Sequence, residues 1–230
     1  MKAHRLVVLA VAGASLLALS GCSQSGSVAA RVGDRTVPTS DVDFLTRMQC
    51  DALDKAANDP SQQGGAQMVA VSQVRTSMVN TLVQAELDRQ LAEQKHLSYD
   101  QATLSNVMAQ FQQVLDQVPA KDRDRFRDIV EDVYRGQLQV YSLAQQQLLA
   151  EGNDNPNQTD VDQAISAIED KYRKTVAVDV NPQYGPDADG VAGKADPSLS
   201  LAVSSFAKAS RSSQPQSSWI AKLPDNQRCG

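Results

Sequence analysis

The sequence predicts a mainly α-helical domain that is closed by a small β-sheet. Apolar residues recur at spacings of three and four between residues 40 and 173, the pattern of helices with one buried face. Short runs in which apolar and polar residues alternate lie before this stretch, at residues 28–32 and 35–37, and after it, at residues 176–180. We therefore expect five helices, including long helical arms, and a sheet that joins an N-terminal hairpin to a C-terminal strand.

The N-terminal stretch has the pattern of a lipoprotein export signal. A basic start precedes the apolar residues 6–19, and the sequence LSGC that ends at Cys22 matches a signal-peptidase II cleavage motif. The apolar run is shorter than a membrane-spanning helix needs. We therefore expect residues 1–21 to be a cleaved signal peptide, and residues 22–27 to be a lipidated cysteine with a short tether.

This motif also predicts where the protein works. A lipidated Cys22, carrying palmitate or a similar acyl chain, would anchor the protein to the cell membrane on its extracytoplasmic side. The alternatives are an ordinary signal peptide with an accidental cysteine, or an uncleaved anchor. Outside the cytoplasm there is no ATP and the conditions are usually oxidising, which argues against nucleotide-driven work and permits disulfides.

The charge of the mature chain argues against two kinds of partner. Removing residues 1–21 removes Lys2 and Arg5 but no acidic residue, which leaves 20 basic residues, 27 acidic residues and a charge of −7. A negative protein neither attracts nucleic acid nor adheres electrostatically to anionic lipid. We therefore expect no nucleic-acid partner, and membrane contact through the lipid anchor alone.

Two cysteines remain after the lipidated one. Cys50 and Cys229 are an even pair in an exported protein, which makes a disulfide between them one of two alternatives. Such a bond would close a loop of nearly the whole mature chain. The alternative is two free thiols, because the sequence does not show whether the C-terminal tail returns to Cys50.

Turn residues and apolar stripes predict the first half of the domain. The pair Gly33-Asp34 suits a tight hairpin turn, and Pro38 stops the second strand. A helix follows over residues 40–57. After a polar loop, a second helix covers residues 67–95 and is about 44 Å long. We interpret this long helix as an arm that extends from the core.

Three further helices are predicted in the second half. The first is capped by Ser98 or Asp100 and ends at Pro119, and the next covers residues 120–150. The last begins with a cap at Thr159 and leads into the strand that should complete the sheet. Beyond Tyr184 the chain becomes rich in Gly, Ser, Asp and Pro. We expect residues 185–230 to be a largely flexible tail, in which SLSLAVSSF is a candidate edge strand.

Three stretches together resemble a known bacterial module. These are AARVGDRTVPTSDVDFL, MVNTLVQAELDRQLAEQKHLSYDQATL and TDVDQAISAIEDKYRKTVAVDVNPQYG. In content and order they are similar to the N-terminal chaperone module of SurA-type and PrsA-type parvulin foldases. The resemblance covers residues 28–184 and implies a five-helix chaperone module that binds unfolded or partly folded exported polypeptides without ATP.

The sequence favours no catalytic site. The parvulin isomerase domain that often accompanies this module uses paired histidines, whereas the mature chain has only His96. A single histidine also leaves no nucleophile–base pair to assemble, and zinc needs more Cys and His ligands than the chain offers. We expect no metal, no cofactor and no enzymatic activity.

Four residues are candidates for binding client polypeptides. Met48, Met78 and Met108 lie on predicted helices, and Met side chains adapt to varied partners. Phe111 belongs to the same apolar stripe as Met108. The alternative for all four is a place in the ordinary core. At the level of function, the alternatives to a chaperone are an adaptor lipoprotein with one specific envelope partner and a cryptic peptidyl-prolyl isomerase.

Overall fold

The computed structural model describes residues 26–59, 68–184, 204–209 and 215–230. This part of the chain is mainly helical with a small antiparallel sheet, as the sequence predicts. The strands are β1 (Val28–Val32), β2 (Arg35–Pro38), β3 (Val69–Ala70), β4 (Val178–Val180) and β5 (Arg228–Cys229). The helices are α1 (Thr39–Ala57), α2 (Val71–Lys95), α3 (Gln101–Gln110), α4 (Gln112–Gln117), α5 (Ala120–Ala150), α6 (Gln158–Arg173), α7 (Ser205–Ala209) and α8 (Ser217–Ile220).

The sheet ties the two ends of the helical stretch together. β1 lies in the middle and pairs antiparallel with β2 on one side and with β4 on the other. Gly33 turns the hairpin with a φ of 61°, and its N–H donates to the carbonyl of Ala177. The C-terminal strand therefore completes the sheet that the hairpin begins, in agreement with the alternating pattern of the sequence.

The α2 helix is the centre of the domain and not an arm, so our interpretation of this segment was wrong. Its buried residues run along its whole length, from Val74 to Ala92. The helix contacts α1, α5, α6 and the sheet, which surround it. We interpreted α2 as an arm because of its length. A long helix can equally lie at the centre of a domain when other elements pack against it on several sides.

Two helix boundaries differ from the prediction. The predicted helix ending at Pro119 is divided at Phe111 into α3 and α4, and the structure starts α2 at Val71 instead of residue 67. The later start has a tertiary cause, since Val69 and Ala70 pair with the C-terminal strand β5. Asp100 caps α3 as predicted, whereas Asn157 and not Thr159 caps α6.

The end of the chain also differs from the prediction of a largely flexible tail. Residues 215–230 fold back onto the domain, where Trp219, Ile220 and Leu223 bury an apolar cluster with Ala70. The candidate edge strand SLSLAVSSF ends at Phe206. Its last two residues, Ser205 and Phe206, lie in helix α7. Residues 185–203 and 210–214 lie outside the described residues, so the prediction for them stays open.

Candidate binding groove

An apolar groove of about 330 Å³ lies between α1, α2, the α3–α4 junction and α5. The α1 wall contributes Leu45, Met48 and Ala52, and Met78 of α2 also lines the groove. The α5 wall contributes an apolar stripe at helical spacing, namely Phe126, Ile129, Val130, Val133 and Tyr134. The groove is therefore lined mainly by side chains that an ordinary protein core would bury.

The break between α3 and α4 shapes the remaining wall. Phe111 at the break packs on Tyr134 of α5, with the ring centres 5.2 Å apart. Arg123 then holds the end of α4, because its guanidinium donates to the carbonyls of Leu115 at 3.0 Å and Val118 at 3.2 Å. These contacts keep the short α4 helix beside α5, where Val114 faces the groove and stays 44% exposed.

The groove carries little charge. Its charged lining residues are Asp51 and Lys55, and Lys55 Nζ donates to the Gln117 carbonyl at 3.1 Å, which links α1 to the end of α4. Several rim positions carry glutamine amides instead of charges. At the start of α5, Arg125 pairs with Asp41 at 2.6 Å. An apolar ligand would therefore meet a nearly neutral surface.

The four candidate client-binding residues do not all lie together. Met48, Met78 and Phe111 line the groove, whereas Met108 is partly buried elsewhere on α3. Met48 is only 9% exposed and packs with Phe44, Leu45 and Val118, so much of it belongs to the core. The accessible part of the lining is instead formed by residues such as Val114 and Ala52.

The candidate disulfide pair lies next to this groove. Cys50 of α1 is bonded to Cys229 of β5, with their Cα atoms 5.0 Å apart. Cys50 is flanked by Gln49 and Asp51, which both line the groove. The bond therefore fastens the folded C-terminal segment to the α1 wall. The lipidation candidate Cys22 lies outside the described residues.

Among the described residues, His96 is the single histidine. His96 is exposed at the end of α2, where its backbone adopts a left-handed conformation. Within the described ranges, no group of three His, Cys, Asp or Glu residues is arranged to hold a metal ion. Among the same residues, no helix combines the length and the apolar character needed to cross a bilayer.

Comparisons with known proteins add no relative. No family model, no curated protein and no solved structure matches this chain. The resemblance to the SurA-type and PrsA-type module therefore remains a prediction from the sequence.

Sequence reasoning missed most of the groove. The sequence places three of the lining residues, Val114, Val130 and Val133, in apolar helix stripes. The helical spacing of a stripe does not indicate whether a neighbouring helix covers it. A signal was present in α5, whose groove-lining positions extend over twelve residues from Phe126 to Gln137, which is more than the six-residue helix α4 can cover.

Proposed function

We propose that this protein is a membrane-anchored extracytoplasmic chaperone that holds non-native exported polypeptides without ATP. The observation that supports it best is the open apolar groove between α1, α4 and α5, with Val114 44% exposed in its wall. Exposed apolar surface of this kind usually marks an interaction site. The resemblance to the SurA-type and PrsA-type module supports the same reading.

Binding in the groove would protect a client by simple burial. Full burial of an apolar side chain of the client contributes about 1.5–3 kcal/mol to binding. The lining carries only two charged residues, Asp51 and Lys55, so few charges have to be desolvated. Because such binding is reversible, folding of the client would compete with it and no nucleotide cycle is required. The lipid at Cys22 would hold the groove close to the membrane where exported chains emerge. We propose no enzymatic activity.

Light scattering of an aggregating client tests this function. The mature chain with Cys22→Ser should suppress aggregation of two unrelated unfolded clients at a near equimolar ratio. Val114→Glu should weaken the suppression about tenfold, because it places a charge in the apolar wall. Leu149→Glu is the matched control, since Leu149 is 51% exposed and does not line the groove.

The result also separates this function from its main rival. If the protein suppresses neither client, the general chaperone is rejected. The groove would then belong to an adaptor lipoprotein with a single envelope partner. Suppression that is equally lost in the Leu149→Glu control would also contradict the proposal, because the effect would not come from the groove.

A further inference from the structure

We propose that the groove is shaped to take an amphipathic α-helix of about three turns, as opposed to an extended segment or a folded partner. This inference rests on the proposed function and names the class of client segment that the site binds. It is carried by the dimensions of the groove, by the hydrogen bonding of its walls and by the distribution of its charges.

The volume of the groove favours a single segment of chain as the occupant over a second folded copy of this chain. The groove of about 330 Å³ has room for a few side chains only. A single segment of chain, and not a folded domain, is therefore the favoured occupant.

The length of the walls matches a short helix. On α5 the lining residues extend from Phe126 to Gln137, and on α1 they extend from Leu45 to Lys55. At about 1.5 Å per residue each wall is on the order of 16 Å long, which is about three turns of an inserted helix. The stripes on both walls repeat at spacings of three and four, so their ridges can interdigitate with a third helix.

The backbone of the walls has nothing to offer to an extended segment. α1, α2 and α5 bond their interior amides and carbonyls within the helices, and the carbonyls of Leu115, Gln117 and Val118 accept from Arg123 or Lys55. An extended segment in the groove would find no backbone partners along these walls, so its own amides and carbonyls would have to pair with water or with the rim glutamine amides. A helix brings its backbone already bonded.

The charges determine which face of that helix enters. Apart from Asp51 and Lys55, the residues that line the groove are apolar or uncharged polar, and Lys55 already bonds the Gln117 carbonyl. The entering face is therefore apolar at positions i, i+3, i+4 and i+7 and carries no charge. Charged residues of the client helix remain on its outer face in water.

A pair of composition-matched peptides tests this inference. The first places leucines at helical spacing, and the second places the same residues in strict alternation, as in a strand. Fluorescence anisotropy with the mature chain carrying Cys22→Ser should show about tenfold tighter binding of the helix-patterned peptide. The far-ultraviolet circular dichroism of that peptide should gain helix on binding.

Substitutions on both walls locate the binding. Val114→Glu and Ala52→Glu change exposed lining residues of α4 and α1, so either variant is expected to fold, as thermal unfolding would verify. Each should weaken binding of the helix-patterned peptide about tenfold, whereas Leu149→Glu should leave it unchanged. Binding that resists both wall variants would overturn the inference.

Three further outcomes separate this inference from the proposed function. If aggregation is suppressed but the strand-patterned peptide binds equally well or better, the inference fails and the chaperone stands. If the helix-patterned peptide binds but no client is protected, the chaperone fails and the groove takes the helix of one dedicated partner. A dimer in sedimentation that Val114→Glu dissolves would overturn the inference in favour of a second copy.

Discussion

Asp88 is a fully buried carboxyl on the central helix α2. Gln84 Nε2 donates to its Oδ1 at 2.7 Å, but Oδ2 has no hydrogen-bond partner within the described part of the chain. The pKa of this carboxyl is raised to about 7, mainly by burial and also by the negative charge of Glu169 on α6, whereas the hydrogen bond from Gln84 and the positive charge of Arg173 lower it. The group is therefore largely protonated in the folded protein below neutral pH.

Asp88→Asn should remove a pH dependence of stability. Between about pH 4 and pH 7 the unfolded state has lost this proton while the folded state retains it, so the wild type loses stability as the pH rises. Above the folded pKa the loss is complete, on the order of 4 kcal/mol. Urea denaturation of both proteins gives the difference in the free energy of unfolding between the wild type and Asp88→Asn. As the pH rises from about 4 to about 7, this difference should change against the wild type, and above that range it should stay constant.

A constant difference between the two proteins across this range would contradict the prediction. Glu169, whose pKa burial also raises, is the neighbouring group that contributes to the same window. The double variant Asp88→Asn/Glu169→Gln separates the two contributions.

His96 adopts an unfavourable backbone conformation at the end of α2. Its φ of 52° lies in the left-handed region, which costs an ordinary residue about 1–2 kcal/mol but glycine very little. His96→Gly should therefore raise the free energy of unfolding by about 1 kcal/mol, measured by urea denaturation. Glu151→Gly is the control, because Glu151 ends α5 with a φ of −83° and should gain nothing.

At the scale of elements, one glycine decides how closely α2 and α5 pack. A Cβ atom at Gly136 would lie 3.1 Å from Asp88 Cβ and 3.7 Å from the Ala85 carbonyl oxygen. Both neighbours belong to the central helix α2, so a side chain at this position requires α2 or α5 to move by a few tenths of an ångström. Sequence alone indicates only that a glycine inside a helix is unfavourable, and the reason for it is tertiary.

Gly136→Ala should destabilise the protein although alanine is the better helix former. The higher helix propensity of alanine stabilises the folded protein by about 1 kcal/mol. Overpacking at the helix crossing destabilises it by about 1–3 kcal/mol. We expect a net loss of about 1 kcal/mol in the free energy of unfolding. Gln146→Ala, on an exposed position of the same helix, should have no such cost, and a Gly136→Ala variant more stable than the wild type would contradict the close crossing.

At the scale of the whole molecule, the disulfide joins residues 179 positions apart. It holds β5 beside β3 and connects the C-terminal segment to α1. A further contact supports this position, since the N–H of Gly230 donates to Asp54 Oδ1 at 2.6 Å. The bond therefore closes a loop that contains nearly all of the described domain.

Replacing both cysteines should lower the stability of the whole domain. Cys50→Ser/Cys229→Ser should lose about 2–5 kcal/mol in the free energy of unfolding, since so long a loop strongly restricts the unfolded chain. The parent protein for this comparison is the mature chain with Cys22→Ser, and the double variant carries the same change. Reduction of the parent by dithiothreitol should lower its free energy of unfolding by the same amount. If the unreduced parent already has two thiols that alkylate without denaturant, the bond does not form.

The sequence predicted more of the fold than of the groove. The hairpin around Gly33, the closing strand near Val178 and the capping of α3 by Asp100 all follow from local chemistry, and the structure confirms them. Met48, Met78 and Phe111 could be selected as apolar positions, but not as neighbours in one groove. Their proximity depends on how separate helices cross, which no local pattern encodes.

The helix stripes, the hairpin turn and the place of the α3 cap follow from the sequence alone, because these depend on interactions between residues a few positions apart. The structure was needed to show that α2 is central, that α3 and α4 separate at Phe111 and that the C-terminal segment returns to α1. The physical reason is the same in each case. Burial and pairing between distant segments override local preference wherever an apolar stripe has more than one neighbour that could cover it.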